Sequence, residues 1–185
     1  MNAQSFDPTR KFLDPEQVLF GAGLSAGQTF ADLGAGSGFY TIVASKIVGD
    51  AGTVYSVDIL ESSLDHIVAE ARLKNAHNIK TLICDLEKPE SCSQIPMGAV
   101  DMVLLTNVAH QITNKANLFA EVYRLMKTGG KLVVIDWNGN PSPIGPQSAD
   151  RVTKEDITQL ARKATLKPGG EMNIDPYHFG LIFIK

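Results

Sequence analysis

The stretch Asp32-Leu33-Gly34-Ala35-Gly36-Ser37-Gly38 stands where an apolar, strand-like run, Thr29 to Leu33, hands over to a segment of helical periodicity. Glycines at such a junction let the backbone turn sharply and let a ligand approach the main chain with no Cβ in the way. Such a turn serves a dinucleotide, a nucleotide or the turn alone. The dinucleotide fingerprint G-x-G-x-x-G requires glycine at position 39, which is Phe39, because the third glycine comes one residue early at Gly38. The Walker pattern fails too, since no Gly-Lys-Ser/Thr follows. What remains is an acidic residue two positions before G-x-G-x-G.

Outward from this turn, strand-like and helix-like patterns alternate, the mark of a parallel sheet covered by helices. Upstream, Asp14-Pro15-Glu16 opens a helix with Val18, Leu19 and Ala22 at helical spacing. Downstream, Phe39, Ile42, Val43 and Ile47 define one helix face, with Gly49 as its stop. A second strand, Thr53 to Val57, is closed by Asp58 and followed by a helix with Leu64, Ile67, Val68 and Ala71 on its apolar face. Ile79 to Cys84 is the third strand, and residues 86–98 read as a loop or short irregular helix. Val100 to Thr106 is almost continuously apolar, as a central strand buried on both faces requires. A helix carrying Leu118, Val122 and Leu125 is expected to stop at Gly129-Gly130, before a fifth strand, Lys131 to Ile135.

Between Trp137 and Asp150 periodicity vanishes among Pro, Gly, Asn and Ser, and a loop of that length in a compact domain is more often functional than accidental. Thr153 and Asp156 form a capping-box pattern ahead of a helix with Ile157, Leu160, Ala161 and Ala164 on its buried face. Two last strands, near Glu171 to Ile174 and Phe179 to Ile184, are joined too closely to pair in any way but antiparallel.

A chain of 185 residues with 44% hydrophobic content fits a single domain, here 1–185, with 1–27 as an N-terminal helical or lid segment and 137–150 as a substrate-side loop. Seventeen basic against twenty acidic side chains leave a net charge of -3, which speaks against nucleic acid as a partner and favours a small or neutral one. Cys84 and Cys92 make no CxxC or metal-ligand spacing, so reduced structural thiols and no metal are expected. No secretory h-region or membrane-length apolar run stands in the chain, so the expectation is a cytoplasmic protein without membrane insertion, as monomer or homodimer.

With these motifs in this order, the chain resembles a class I S-adenosylmethionine-dependent methyltransferase, in the style of the ubiquinone/menaquinone-type small-molecule branch. The resemblance runs from about Gln28 to Asp136, and the closing helix and strand pair fit as well. It implies a Rossmann-like three-layer α/β sandwich whose mostly parallel seven-stranded sheet has the order 3-2-1-4-5-7-6, the last strand antiparallel. It implies S-adenosyl-L-methionine as cofactor, its methionine end over Gly34, Ala35, Gly36 and Gly38, with Asp32 orienting the amino group. Asp58, twenty-four residues after Gly34, then accepts the ribose hydroxyls, against the plainer reading of a helix N-cap or solvated charge. Ile59 offers an apolar face to the adenine, Asp85 accepts the adenine amino group, and the Leu86 amide touches the ring. Asn107, in the segment leaving the fourth strand, borders the methionine and the acceptor.

His110 is the candidate general base, since imidazole titrates near neutral pH, although a lone His is more often structural. Trp137 either stacks on an acceptor or plugs the core edge. Tyr177 and His178 could face the pocket but fit a solvated strand start better, and His66 and His77 need no function. Methyl transfer from a sulfonium demands alignment and exclusion of water more than a dedicated catalytic side chain. A small-molecule methyltransferase is therefore the leading reading. The alternatives are a non-catalytic S-adenosylmethionine-binding protein and a NAD-type oxidoreductase, the latter disfavoured by Phe39. The exit Thr106-Asn107-Val108-Ala109 lacks the Asn/Asp-Pro-Pro-aromatic signature of methylation on bases.

Overall fold

The computed structural model describes residues 14–185, and residues 1–13 of the expected lid segment lie outside the described residues. In chain order the elements are α1 (Pro15–Ala22), β1 (Thr29–Leu33), α2 (Phe39–Val48), β2 (Thr53–Asp58), α3 (Glu61–Leu73), β3 (Ile79–Ile83), β4 (Val100–Thr106), α4 (Lys115–Leu125), β5 (Met126–Trp137), α5 (Lys154–Lys163), β6 (Lys167–Asp175) and β7 (His178–Ile184). The seven strands form one sheet of order β3-β2-β1-β4-β5-β7-β6. The first five run parallel, while β7 lies antiparallel to both β5 and β6. This is the expected Rossmann-like α/β arrangement.

Local chemistry explains where the helices begin and end. Asp14 caps α1 by accepting the amides of Glu16 and Gln17, Pro15 occupies the first helical position, and left-handed Gly23 stops the helix. The reciprocal Thr153–Asp156 capping box opens α5 as its sequence requires. On one sheet face Leu19, Ala22, Ala44 and Val48 of α1 and α2 bury Phe30, Leu104 and Ile135. On the other, Phe119, Val122, Ile157 and Ala161 of α4 and α5 cover Val103, Leu105 and Val134, and the free thiols Cys84 and Cys92 are buried in that same core. Among the described residues no helix is long and apolar enough to cross a membrane.

Two expectations are corrected. The buried face of α2 is Tyr40, Thr41, Ala44, Ser45 and Val48, and Phe39 is 50% exposed. Hydrophobicity alone misses this face because the Thr41 and Ser45 hydroxyls are buried with partners: Thr41 bonds to Asp32 and Ser56, and Ser45 to Asn78. The helix α4 also stops four residues before Gly129, at Leu125, and both glycines lie inside β5. Gly130 serves close backbone approach instead, since a Cβ there would stand 3.1 Å and 3.2 Å from the carbonyl oxygens of Val100 and Asp101.

Candidate cofactor and acceptor site

Strands β1 to β5 end, and β7 begins, along one edge of the sheet, so Leu33, Asp58, Thr106, Trp137 and His178 converge there. The order reverses between β1 and β4, which is where open α/β sheets leave a crevice for ligands. The glycine turn sits in that crevice. Gly34 and Ala35 donate their amides to the Val57 carbonyl at 2.8 Å and 2.9 Å, which locks the turn to β2. Gly34, at φ +78°, packs so closely on Val108 that a Cβ would lie 2.4 Å from its Cγ2, whereas a Cβ at Gly36 would meet nothing within 4 Å. Packing thus explains the first glycine, and open space over the turn explains the second.

Carboxylates ring this space. Asp58, only 9% exposed, accepts the Gly36 amide at 2.8 Å through Oδ2 and the Leu60 amide at 2.9 Å through Oδ1. A carboxylate has about four acceptor positions, so lone pairs remain for further donors. Ile59 follows it as an exposed apolar side chain. After β3, Asp85 accepts the Glu87 amide and pairs with Lys88 at 3.1 Å, and that amide first, then Lys88, hold its carboxyl below the usual range. The Leu86 side chain is buried in the same core as Cys84 and Cys92. Asp32 lies under the glycine turn, bonded to the Thr41 hydroxyl at 2.7 Å. Burial pushes its pKa up to about 6, with the Asp58 charge adding to the rise and the Thr41 hydrogen bonds opposing it.

Beyond β4, Asn107 adopts the left-handed conformation at φ +58° and its amide donates to the Ile135 carbonyl. Its Oδ1 is buried without a hydrogen-bond partner, as are Thr106 Oγ1, Tyr40 Oη and His178 Nε2. All four belong to residues at or beside this edge. Buried polar atoms normally find partners, so a cluster of exceptions on one side of a fold marks a place for something else to bind.

His110, in the turn after β4, is held by a residue 26 positions away: Asp136 accepts its backbone amide at 3.2 Å and pairs with Nδ1 at 2.8 Å. Asp136 is fully buried at the end of β5. Trp137 plugs the edge, 7% exposed, with the His178 ring 4.2 Å from its own, Arg151 over it at 5.7 Å, and Gly145 packed on its face. Arg151 also donates to the carbonyls of Pro146, Asn138 and Asn140, so the 137–150 loop is tied down. His178 is not solvated as its position suggested. It is 5% exposed, and Nδ1 pairs with both oxygens of Asp175 at 2.9 Å and 3.0 Å. Sequence reasoning missed the roles of Asp136, Arg151 and Asp175, and only the D-x-x-H spacing of Asp175 to His178 carried a local signal.

The residues present fit S-adenosylmethionine. Its ammonium, ribose hydroxyls and adenine amino group are all donors, the crevice offers carboxylates at the ends of β1, β2 and β3, and the open face of Gly36 leaves the turn uncovered. Fold and edge together are those of the Rossmann-like S-adenosylmethionine-dependent methyltransferases. The chain belongs to the methyltransferase domain family, whose model matches residues 24–174.

Among curated proteins, the chain is 30% identical over 129 residues to the ubiquinone/menaquinone biosynthesis C-methyltransferase UbiE of Hydrogenovibrio crunogenus, covering 70% of this chain and 50% of that protein. It thus spans about half the length of the curated relatives it matches. Among solved structures, a SAM-dependent methyltransferase from Aquifex aeolicus superimposes with a TM-score of 0.86 at 27% identity, covering 96% of this chain and 93% of the other. Geranyl diphosphate C-methyltransferase from Streptomyces coelicolor, solved with S-adenosyl-L-homocysteine, shares the fold at 17% identity, with a TM-score of 0.75 and coverage of 92% and 78%.

Proposed function

We propose that this chain transfers the methyl group of S-adenosylmethionine to a small-molecule acceptor. The observation that carries the reading is the glycine turn held open at Gly36 by Asp58. In this reading Gly34, Ala35, Gly36 and Gly38 underlie the methionine end, and Asp32 faces the ammonium. Asp58 takes the ribose hydroxyls through its remaining lone pairs, Ile59 covers one face of the adenine, and Asp85 with the Leu86 amide reads its edge. Asn107 supplies its unpartnered Oδ1 to the methionine or the acceptor.

When bound, the cofactor supplies an electrophilic methyl group for in-line displacement. The protein aligns and shields. Trp137 and the Arg151-tied loop close one side of the edge, and His110, oriented by Asp136, is the acid–base candidate read from the sequence. The small net negative charge supports a small acceptor over nucleic acid, and the chain is read as one cytoplasmic domain, monomer or homodimer.

Calorimetric titration with S-adenosylmethionine, S-adenosylhomocysteine and NAD tests the cofactor. Binding of the first two alone is expected, and binding of NAD alone would overturn the reading. Release of cofactor label into an acceptor separates transfer from mere binding.

A further inference from the structure

Asp85 and Leu86, which the reading above sets against the adenine, lie in the irregular stretch between β3 and β4. No strand or helix ladder holds their backbone, so its place rests on individual contacts. On the β3 side the Cys84 amide donates to the Asp58 carbonyl at 3.1 Å, and the Leu86 side chain is 6% exposed. On the other side three contacts meet at Glu87. Its amide donates to Asp85 Oδ1 at 3.1 Å, its carbonyl accepts Asn117 Nδ2 at 2.7 Å, and its Oε1 accepts the Thr113 amide at 2.9 Å.

Asn117 and Thr113 are 30 and 26 residues from Glu87 in the chain. Asn117 stands in the first turn of α4, its amide accepted by the capping Asn114 side chain, and Thr113 comes just before that cap. The helix sends Leu118, Phe119 and Val122 into the core, so Glu87 is fastened to a packed element and not to its own loop. Glu87 is half-buried, whereas Lys88, Pro89 and Glu90 after it are exposed. Ordering a glutamate costs rotamer freedom that a solvated loop residue keeps.

The two residues held this way form a matched pair. Adenine presents an amino donor beside ring N1, an acceptor, and a carboxylate with a backbone amide answers both. The Glu87 amide first, then Lys88, hold the Asp85 carboxyl below the usual range, so it is an acceptor only at neutral pH. Hypoxanthine has an oxo acceptor and an N1–H donor in the same places, which sets acceptor against acceptor and donor against donor. That mismatch counts only if Asp85 and Leu86 are unable to turn away.

Resting on the placement of adenine in the methyltransferase reading, we propose that Glu87 is a positioning residue that sets the selectivity of this site for adenine over hypoxanthine. It acts through Asp85 and Leu86, by fastening them to α4 and to Thr113.

The test is calorimetric titration of wild type, Glu87→Ala, Glu87→Gln and Asn117→Ala with S-adenosylhomocysteine and with S-inosylhomocysteine. Wild type is expected to bind the adenine compound roughly 10–100-fold more tightly, as a hydrogen bond to a charged group allows. In Glu87→Ala and Asn117→Ala that ratio falls by about fivefold or more, through weaker binding of S-adenosylhomocysteine at nearly constant affinity for S-inosylhomocysteine. Glu87→Gln keeps the ratio, because its amide oxygen accepts the Thr113 amide as the carboxylate does. General loss of structure would lower both affinities together and leave the ratio alone. An unchanged ratio in Glu87→Ala or Asn117→Ala, equal losses on both ligands, or a Glu87→Gln protein that behaves as Glu87→Ala would each overturn the proposal. A wild-type ratio near one would overturn it together with the placement of adenine on Asp85, and absence of S-adenosylhomocysteine binding to wild type would overturn the methyltransferase reading beneath both.

Discussion

Asp58 Oδ2 accepts the amide of Gly36 at 2.8 Å, so the residue that ends β2 also shapes the turn that follows β1. One carboxylate thereby fixes the ligand-facing backbone and remains available to a ligand. Replacing Asp58 by Ala is expected to weaken S-adenosylmethionine binding by about 1.5–3 kcal/mol, the range for hydrogen bonds to a charged group. Calorimetry measures it directly. Unaltered affinity would remove the ribose from Asp58.

The glycines of the turn separate by what lies above them. Gly36→Val is expected to abolish cofactor binding, with a stability loss near the roughly 1–2 kcal/mol cost of a left-handed side chain, because nothing of the protein lies within 4 Å of its Cβ. Gly34→Ala collides with Val108 and adds an overpacking cost of about 1–3 kcal/mol to the same strain. Thermal melts with and without S-adenosylhomocysteine distinguish the two. Retained binding in Gly36→Val would refute the placement of the cofactor.

Asp32 gives a pH signature of stability. Its pKa is about 6 in the fold against 3.8 ordinarily, so between these values the native state holds the extra proton. Stability from this group is fully present below the ordinary value and is lost as pH rises through about 6, by about 3 kcal/mol at one pKa unit per 1.36 kcal/mol. Denaturant titrations across pH 4–7 should show that slope in wild type, after subtraction of other groups, and lose it in Asp32→Asn. A slope unchanged in the variant would assign it elsewhere.

Arg151 ties the 137–150 loop to itself through three carbonyls. Arg151→Ala is expected to speed proteolytic cleavage within residues 139–147 while leaving S-adenosylhomocysteine affinity unchanged, since the tie lies at β5 and not at β1. Limited proteolysis followed by mass spectrometry reads both the rate and the position. Equal cleavage rates would mean that packing on Trp137 alone holds the loop.

Thr153 and Asp156 cap α5 reciprocally, and the Thr153 hydroxyl first, then its amide, lower the Asp156 pKa. Thr153→Ala should destabilise the protein by about 1 kcal/mol, visible as a lower denaturation midpoint at constant slope. No shift would show that the cap is replaced by water without cost.

Much of this molecule was legible in the chain. The boundaries of β1 and β4 and the start of α1 follow from apolar runs and capping residues that act within a few positions, and the structure has them at Thr29–Leu33, Val100–Thr106 and Pro15. The face of α2 was misread because Thr41 and Ser45 are buried polar residues, whose partners Asp32, Ser56 and Asn78 come from other elements. Gly129 and Gly130 looked like a helix stop, although Gly130 answers to the backbone of β4.

By itself the sequence determined the strand–helix alternation, the glycine turn after β1 and the spacing of Asp32, Asp58 and Asp85, because periodicity and backbone preference are properties of neighbouring residues. Only the tertiary structure decided that Asp136 holds His110, that Asp175 leaves one nitrogen of His178 bare, and that Trp137 is a plug. The last of these depends on strand register, since a shift of one residue between β5 and β7 would part Trp137 from the His178 ring packed against it. Register is set by packing across the whole sheet.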